Sequence, residues 1–364
     1  MKSAKHEKCE APEGSPAVAR RTAGGSAGFL TEMVDALVEK GGEGSAQLLG
    51  SDCLALKIRG VLSTQCPTID AAIGRGGVPL GRLTIIHGPE SSGKTTLALH
   101  LVAECQRRGG VALYIDKEYK LDPDYAQAIG VDTKSLVISQ PAYLEKVFEI
   151  CEAACNMAGR HREATGERVP ILIILDSMNA AISKEMFQDG WDDQSMGSVA
   201  RVYSQKLPKL MALISKEDVA LVFISQVREK IGILYGNKET TAGGRAPKFY
   251  ASLVMEVRRT GSIKEEKEDA TGNKCEVYVG KNQIAPPFKR AAFDVVYGLG
   301  IDYTAALMSR AEALKIIERT GSWYSVDGEK IGNGLAAAKA TLAKTPALLK
   351  AIEAKVREHD GGAP

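Results

Sequence analysis

From Gly81 onward, short apolar runs recur between longer stretches of helical character: Leu83 to His87, Ala112 to Asp116, Ser135 to Ser139, Ile171 to Asp176 and Leu221 to Gln226. Runs this short and this uniformly apolar predict strands buried on both faces. The helices of ten or more residues between them predict crossovers, so this region predicts a parallel sheet covered on both sides. Gly109-Gly110 marks the end of the first crossover helix, and Glu163 to Arg168, charged and containing Gly166, reads as a surface insertion before the fourth strand. After Leu253 the texture changes. Leu253 to Arg259, Cys275 to Lys281 and Ala291 to Tyr297 are strand-like with little helix between them, and the polar stretch Lys264 to Asn273 reads as a hairpin turn, so this half is expected to be antiparallel.

The two ends differ from the middle. Residues 1–27 are rich in Gly, Ala, Ser and charge without periodicity, the composition of a disordered arm. Leu30, Met33, Val34, Leu37 and Val38 then recur at helical spacing until Gly41-Gly42, and one short amphipathic helix must pack on its own body or on a neighbour. From Tyr303 on the pattern is helical and mixed. Lys315 and Arg319, at i, i+4 spacing, read as one basic helix face, and Thr345-Pro346 opens a final helix with the stripe Leu348, Leu349, Ile352 and Val356. The expected division is an arm over 1–27, a helix and linker over 28–60, an α/β core over 61–298, a small α+β module over 299–358 and a short tail over 359–364.

Composition narrows the picture only slightly. A net charge of +2 does not announce a nucleic-acid binder, so any DNA contact must come from local loops. No apolar run reaches the ~20 residues needed to span a bilayer, and Met1 to Glu10 is charged, so the expectation is a cytoplasmic protein with no membrane partner. The seven cysteines form no C-x-x-C pair and read as small buried hydrophobes; Cys151 and Cys155 could share a helix face but lack further metal ligands.

The strongest chemical signal is Gly88-Pro89-Glu90-Ser91-Ser92-Gly93-Lys94-Thr95, between the apolar run Leu83 to Ile86 and the helical run Thr96 to Gln106. Strand, glycine-flanked loop and helix form a phosphate-binding loop. Gly88 and Gly93 let the backbone curl round an anion, and the helix N-terminus aims free N–H groups at it. Lys94 is placed to meet the β- and γ-phosphates of ATP, and Thr95 to ligate Mg²⁺. Asp176 closes the apolar strand Ile171 to Leu175 and is the expected second Mg²⁺ group. Tyr114-Ile115-Asp116-Lys117-Glu118 ends another strand, where a carboxylate either orients the water attacking the γ-phosphate or is simply a solvated strand end.

Two loops leave the sheet on the side where ligands bind in open α/β folds: Lys184 to Met196, and Val227 to Gly244, which is long and holds four glycines. Arg201, Arg228 and Lys230 are candidate DNA-phosphate contacts.

These residues together resemble the bacterial RecA recombinases. GPESSGKTT (Gly88 to Thr96), YIDKEYKLDPDY (Tyr114 to Tyr125), Leu175-Asp176-Ser177, Ser195-Met196-Gly197 with Arg201, Ile224 to Arg228, Gly236-Asn237 through Gly243-Gly244, Lys248 to Ala251 and Lys281-Asn282 stand in that family's order, from about Leu62 to Glu358. The resemblance implies a RecA-like ATPase core with a docking helix before it. It implies Glu118 as catalytic glutamate, Asp122 and Tyr125 against adenine, and Gln226 as the sensor of the γ-phosphate. Met196 and Ile231 resemble apolar wedges between base triplets, and Gly197, Ser204, Gly243 and Gly244 complete the DNA-binding set. Lys248, Phe249 and Lys281 fall at the family's subunit interface, Lys281 reaching toward the neighbour's γ-phosphate.

The expected activity is that of a DNA-dependent ATPase. It would form a helical filament on single-stranded DNA and pair it with homologous double-stranded DNA for strand exchange. A hexameric RecA-fold motor and a non-hydrolysing DNA-binding paralogue are the alternatives. The chain departs from the family in Trp191, in the missing acidic tail common among relatives, and in Gln283, where a second lysine is expected.

Overall fold

The alternation of short apolar runs with amphipathic ones becomes a sheet between two helical layers. The computed structural model describes residues 26–42, 45–48, 58–188, 197–229, 239–241, 243–264 and 269–360. The chain falls into two units, Met1–Cys53 and Leu54–Pro364. In the first, helix α1 (Ser26–Gly41) stops where Gly42 takes φ 86° and its N–H reaches the Val38 carbonyl at 2.8 Å. Phe29, Leu30, Met33 and Leu37 remain exposed along the apolar stripe of this helix. The expected arm lies largely outside the described residues.

The second unit opens with a ribbon, β1 (Val61–Leu62) against β2 (Val78–Pro79), joined by helix α2 (Pro67–Ile73). Then β3 (Leu83–Gly88) leads to α3 (Lys94–Arg107), β4 (Val111–Asp116) to α4 (Pro123–Ile129), and β5 (Val137–Ser139) to α5 (Leu144–Thr165). β6 (Ile171–Asp176) leads to α6 (Lys184–Gln188) and α7 (Ser198–Ile214), and β7 (Val219–Glu229) to β8 (Glu239–Thr241) and α8 (Ala246–Tyr250). β9 (Leu253–Ile263), β10 (Gly272–Asn282), β11 (Arg290–Val296) and β12 (Gly300–Ile301) follow. Strand order is β12-β11-β10-β9-β3-β7-β6-β4-β5, with β8 paired to β7. β9 runs parallel to β3, so the antiparallel half begins one strand later, at β10.

Alternate strand residues point to opposite faces. Ile86, Ile174 and Val222 pack with Leu97 and Leu101 of α3 on one side. Ile85, Ile173 and Leu221 pack with Phe148 of α5 and Tyr203 of α7 on the other. Two further expectations need correction. The first half of the stretch read as a surface insertion, Glu163 to Thr165, is the end of α5, which is stopped by Gly166 at φ 76°.

The second correction lies in the C-terminal module: α9 (Tyr303–Ala313), the antiparallel sheet β13 (Ile317–Thr320), β14 (Trp323–Val326) and β15 (Glu329–Asn333), α10 (Leu335–Lys344) and α11 (Pro346–His359). Lys315 and Arg319 share no helix face. α9 ends at Ala313, Lys315 turns the chain at φ 60°, and Arg319 lies on β13 with its guanidinium 5.3 Å from the Tyr324 ring.

Candidate active site

The sheet register assembles the site. β4 and β6 place Asp116 beside Asp176, and β3 and β7 place Gly88 beside Gln226, all at the carboxyl ends of parallel strands. The loop after β3 is shaped by its glycines. A Cβ at Gly88 would lie 2.0 Å from the Val257 carbonyl oxygen, and Gly93 takes φ 96° as the N-cap of α3. Lys94 is buried; its Nζ donates to the Pro89 carbonyl at 2.5 Å. Burial lowers its pKa, against the attraction of Asp176, Glu118 and Glu90. Ser92 is 1% exposed, and among the described residues its Oγ finds no hydrogen-bond partner. A buried hydroxyl of this kind, in the loop between β3 and the N-terminus of α3, fits a bound phosphate.

Beside the loop, Asp176 is buried and its Oδ2 accepts from Thr95 Oγ1 at 2.9 Å and from Tyr114 Oη at 2.6 Å. Burial raises its pKa; the two hydroxyls and the nearby carboxylates Glu118 and Asp116 modify that shift in opposite senses. A carboxylate so placed, next to a threonine hydroxyl, is a donor set suited to Mg²⁺.

Hydrogen bonding sets the two carboxylates at the end of β4 apart. Asp116 turns back on its own loop: Oδ1 accepts from the N–H of Glu118 at 3.0 Å and of Tyr119 at 2.7 Å, and Oδ2 from Leu121 at 3.2 Å. Glu118 instead faces the site. Its Oε1 accepts from Ser177 Oγ and from Gln226 Nε2, the latter at 3.1 Å, and its Oε2 from Lys120 Nζ at 3.3 Å. Gln226 is held in turn by Asn179, whose Oδ1 accepts the Gln226 N–H at 2.8 Å and whose Nδ2 donates to the Gln226 carbonyl at 3.2 Å. Tyr114, Ser177 and Asn179 escaped sequence reasoning as site residues. A polar side chain on or just past an apolar strand was the only signal, and it does not say which carboxylate or amide it will meet.

Asp122 caps α4, accepting from Asp124 N at 2.9 Å, and Tyr125 Oη lies 2.9 Å from Thr96 Oγ1, which ties α4 to the phosphate-loop helix. Of the DNA candidates, Gly197 (φ 86°) caps α7, Arg201 is exposed with Glu185 at 3.7 Å, and Ser204 Oγ bonds the Ala200 carbonyl at 2.9 Å. Gly243 and Gly244 sit against the same helix; added Cβ atoms would lie 2.8 Å from Tyr203 and 3.1 Å from Ala200. Both expected loops contain regular structure: the first begins as α6, and the second begins and ends in the β7–β8 pair, Arg228 opposite Thr240. Trp191, Met196, Lys230 and Ile231 lie outside the described residues.

Lys281 does not join this site within the chain. It stands beside Val254, which pairs with Ile85, short of the end of β3 that carries the phosphate loop. Its Nζ donates to the carbonyls of Lys248 and Phe249, both at 2.9 Å, and Phe249 is 73% exposed next to it. Gln283 is exposed.

A phosphate loop after a central parallel strand, with carboxylates on neighbouring strand ends, defines the phosphate-loop ATPase class. Residues 29–302 match the family model for the RecA N-terminal domain, and residues 305–361 that for the RecA C-terminal domain. The chain belongs to the RecA family. It is 42% identical over 340 residues to Protein RecA of Desulfotalea psychrophila, covering 93% of this chain and 92% of that protein. It is 45% identical over 294 residues to Protein RecA of Aquifex pyrophilus, covering 81% of each. A solved structure of the RadB recombinase matches 66% of this chain and 98% of its own, at 18% identity and a TM-score of 0.48. Among the described residues, no helix is long and apolar enough to cross a membrane.

Proposed function

We propose that this chain is a DNA-dependent ATPase that assembles on single-stranded DNA as a helical filament and pairs it with homologous double-stranded DNA for strand exchange. Lys94 and the loop from Gly88 to Thr96 bind the phosphates of ATP, with Asp122 and Tyr125 at the adenine end. Thr95 and Asp176 would hold Mg²⁺, which when bound neutralises charge on the phosphate oxygens. Glu118 orients the attacking water and takes up its proton, while Ser177 and Gln226 hold that carboxylate in place. Gly197, Arg201, Ser204, Arg228, Gly243 and Gly244 belong to the DNA side, as do Met196, Lys230 and Ile231.

The observation that supports this reading most is the 3.1 Å bond from Gln226 to Glu118. One side chain touches the hydrolytic carboxylate and also stands three residues before the end of the strand that opens the second DNA loop. A change in what Glu118 holds therefore moves the root of that loop. The exposed stripe of α1 and the exposed Phe249 support self-association, because unburied apolar surface of this kind marks contact sites. Membership of the family leaves the ring-motor and accessory-paralogue alternatives unfavoured.

The test is ATP turnover with and without single-stranded DNA, together with electron micrographs in Mg²⁺ and a non-hydrolysable ATP analogue. Stimulated turnover and open helical filaments are expected. Closed rings, or turnover indifferent to DNA, contradict the reading.

A further inference from the structure

Lys117 lies between the two carboxylates of the β4 end and is 7% exposed, an unusual place for an ammonium group. Its Nζ does not meet Glu118. It crosses to the start of α5, donating to the Pro141 carbonyl at 2.6 Å and the Ala142 carbonyl at 3.3 Å, with the Tyr119 ring 5.9 Å away. Its backbone N–H is bound as well, to the Asp176 carbonyl at 2.6 Å. Burial lowers the pKa of this lysine and Asp116 opposes the shift.

The turn that receives Lys117 is itself fastened to the first DNA loop. Tyr143 packs its ring at 5.8 Å from Phe187 of α6. The Leu144 N–H reaches the Ile182 carbonyl at 2.7 Å, and Glu145 Oε2 accepts the Lys184 N–H at 2.8 Å. A continuous set of contacts thus runs from the residue next to Glu118, through the α5 turn, to α6. It is separate from the Gln226 route, which leads to the other loop.

We propose that Lys117 is a positioning residue that couples the Glu118 loop to the first DNA loop through the turn at Pro141 to Glu145. This rests on the reading of Glu118 as the hydrolytic carboxylate. The ammonium suits the task because it satisfies two carbonyls at once, so the Glu118 loop and the α5 turn shift together or break two charge-assisted bonds. An apolar side chain of the same length fills the space and leaves both carbonyls without that partner.

The experiment is a double-variant cycle on the full chain: parent, Lys117→Met, Phe187→Ala and the pair, each assayed for ATP turnover on saturating single-stranded DNA. Glu118→Gln serves as the control. Lys117→Met is expected to lower kcat on DNA by about tenfold, since small displacements of a catalytic group cost rate steeply, with KM for ATP little changed. Because both changes cut one linkage, the double variant is expected to be no slower than Lys117→Met alone. Lys117→Arg, which keeps donors and charge, should recover part of the rate. Effects that multiply, or a parental rate in Lys117→Met, overturn the coupling. A Glu118→Gln variant as active as the parent would instead overturn the assignment of Glu118. A measurement on the parent alone guards against a variant that fails to fold. Hydrogen exchange of the amides at 183–188 should slow when a non-hydrolysable ATP analogue binds without DNA, and unchanged exchange there contradicts the proposal.

Discussion

At the carboxyl ends of β3, β4, β6 and β7, the candidate chemistry is already wired together: Thr95 and Tyr114 on Asp176, Ser177 and Gln226 on Glu118. On β10, Lys281 is half-buried, set back from the phosphate-loop end of the sheet, and its ammonium rests on two neutral carbonyls of its own chain. The contrast is between side chains already bonded to one another within one chain and a cation whose acceptors, among the described residues, are neutral carbonyls. Carbonyl acceptors hold an ammonium less strongly than a phosphate oxygen does, and we propose that Lys281 exchanges them for a neighbour's nucleotide. Burial lowers its pKa. On this account, one chain binds ATP, and two adjacent chains are needed to hydrolyse it fast.

Lys94→Ala is the largest break. It removes the buried cation of the loop, and nucleotide binding by equilibrium titration should fall below detection, with DNA-stimulated turnover lost as well. Glu118→Gln keeps the shape and the acceptor for Ser177. It should bind ATP and DNA like the parent while kcat drops by about 10²–10⁴-fold, the usual worth of general-base assistance. Unchanged turnover would remove Glu118 from the chemistry.

Lys281→Ala sharpens the comparison. Nucleotide binding by the isolated subunit should stay parental, while turnover on saturating single-stranded DNA falls on the order of 10²-fold, as for loss of one transition-state donor. A smaller effect is expected of Gln283→Lys. It adds a cation beside Lys281, and turnover on DNA should rise a few-fold or the ATP-bound filament should survive higher salt. No change in either places Gln283 away from the interface.

Much of this organisation was legible in the chain, and the rest failed for identifiable reasons. Uniformly apolar runs located β3, β4, β6 and β7, because a strand buried on both faces has little room for polar residues. The phosphate loop was legible because only glycine tolerates the backbone at Gly88 and Gly93. Glu118 could be separated from Asp116 by resemblance alone. Nothing local says that Asp116 folds back onto three backbone N–H groups while Glu118 turns to Ser177 and Gln226, in a loop where Tyr119 takes φ 57°. Lys315 and Arg319 were misread because i, i+4 spacing carries meaning only within a helix, and α9 had already ended. Asn179 and Lys117 gave no signal, since their partners at Gln226 and Pro141 are distant in sequence and brought close only by the strand order β7-β6-β4-β5.

The most direct test of a site shared between adjacent chains is to mix the two dead variants. Glu118→Gln subunits keep Lys281, and Lys281→Ala subunits keep Glu118. In a head-to-tail filament of equal parts, roughly a quarter of the interfaces then join an intact carboxylate to an intact cation. Turnover of the mixture on single-stranded DNA should therefore recover to roughly a quarter of the parental rate if such interfaces act independently. A mixture no more active than the sum of its two components would contradict the account.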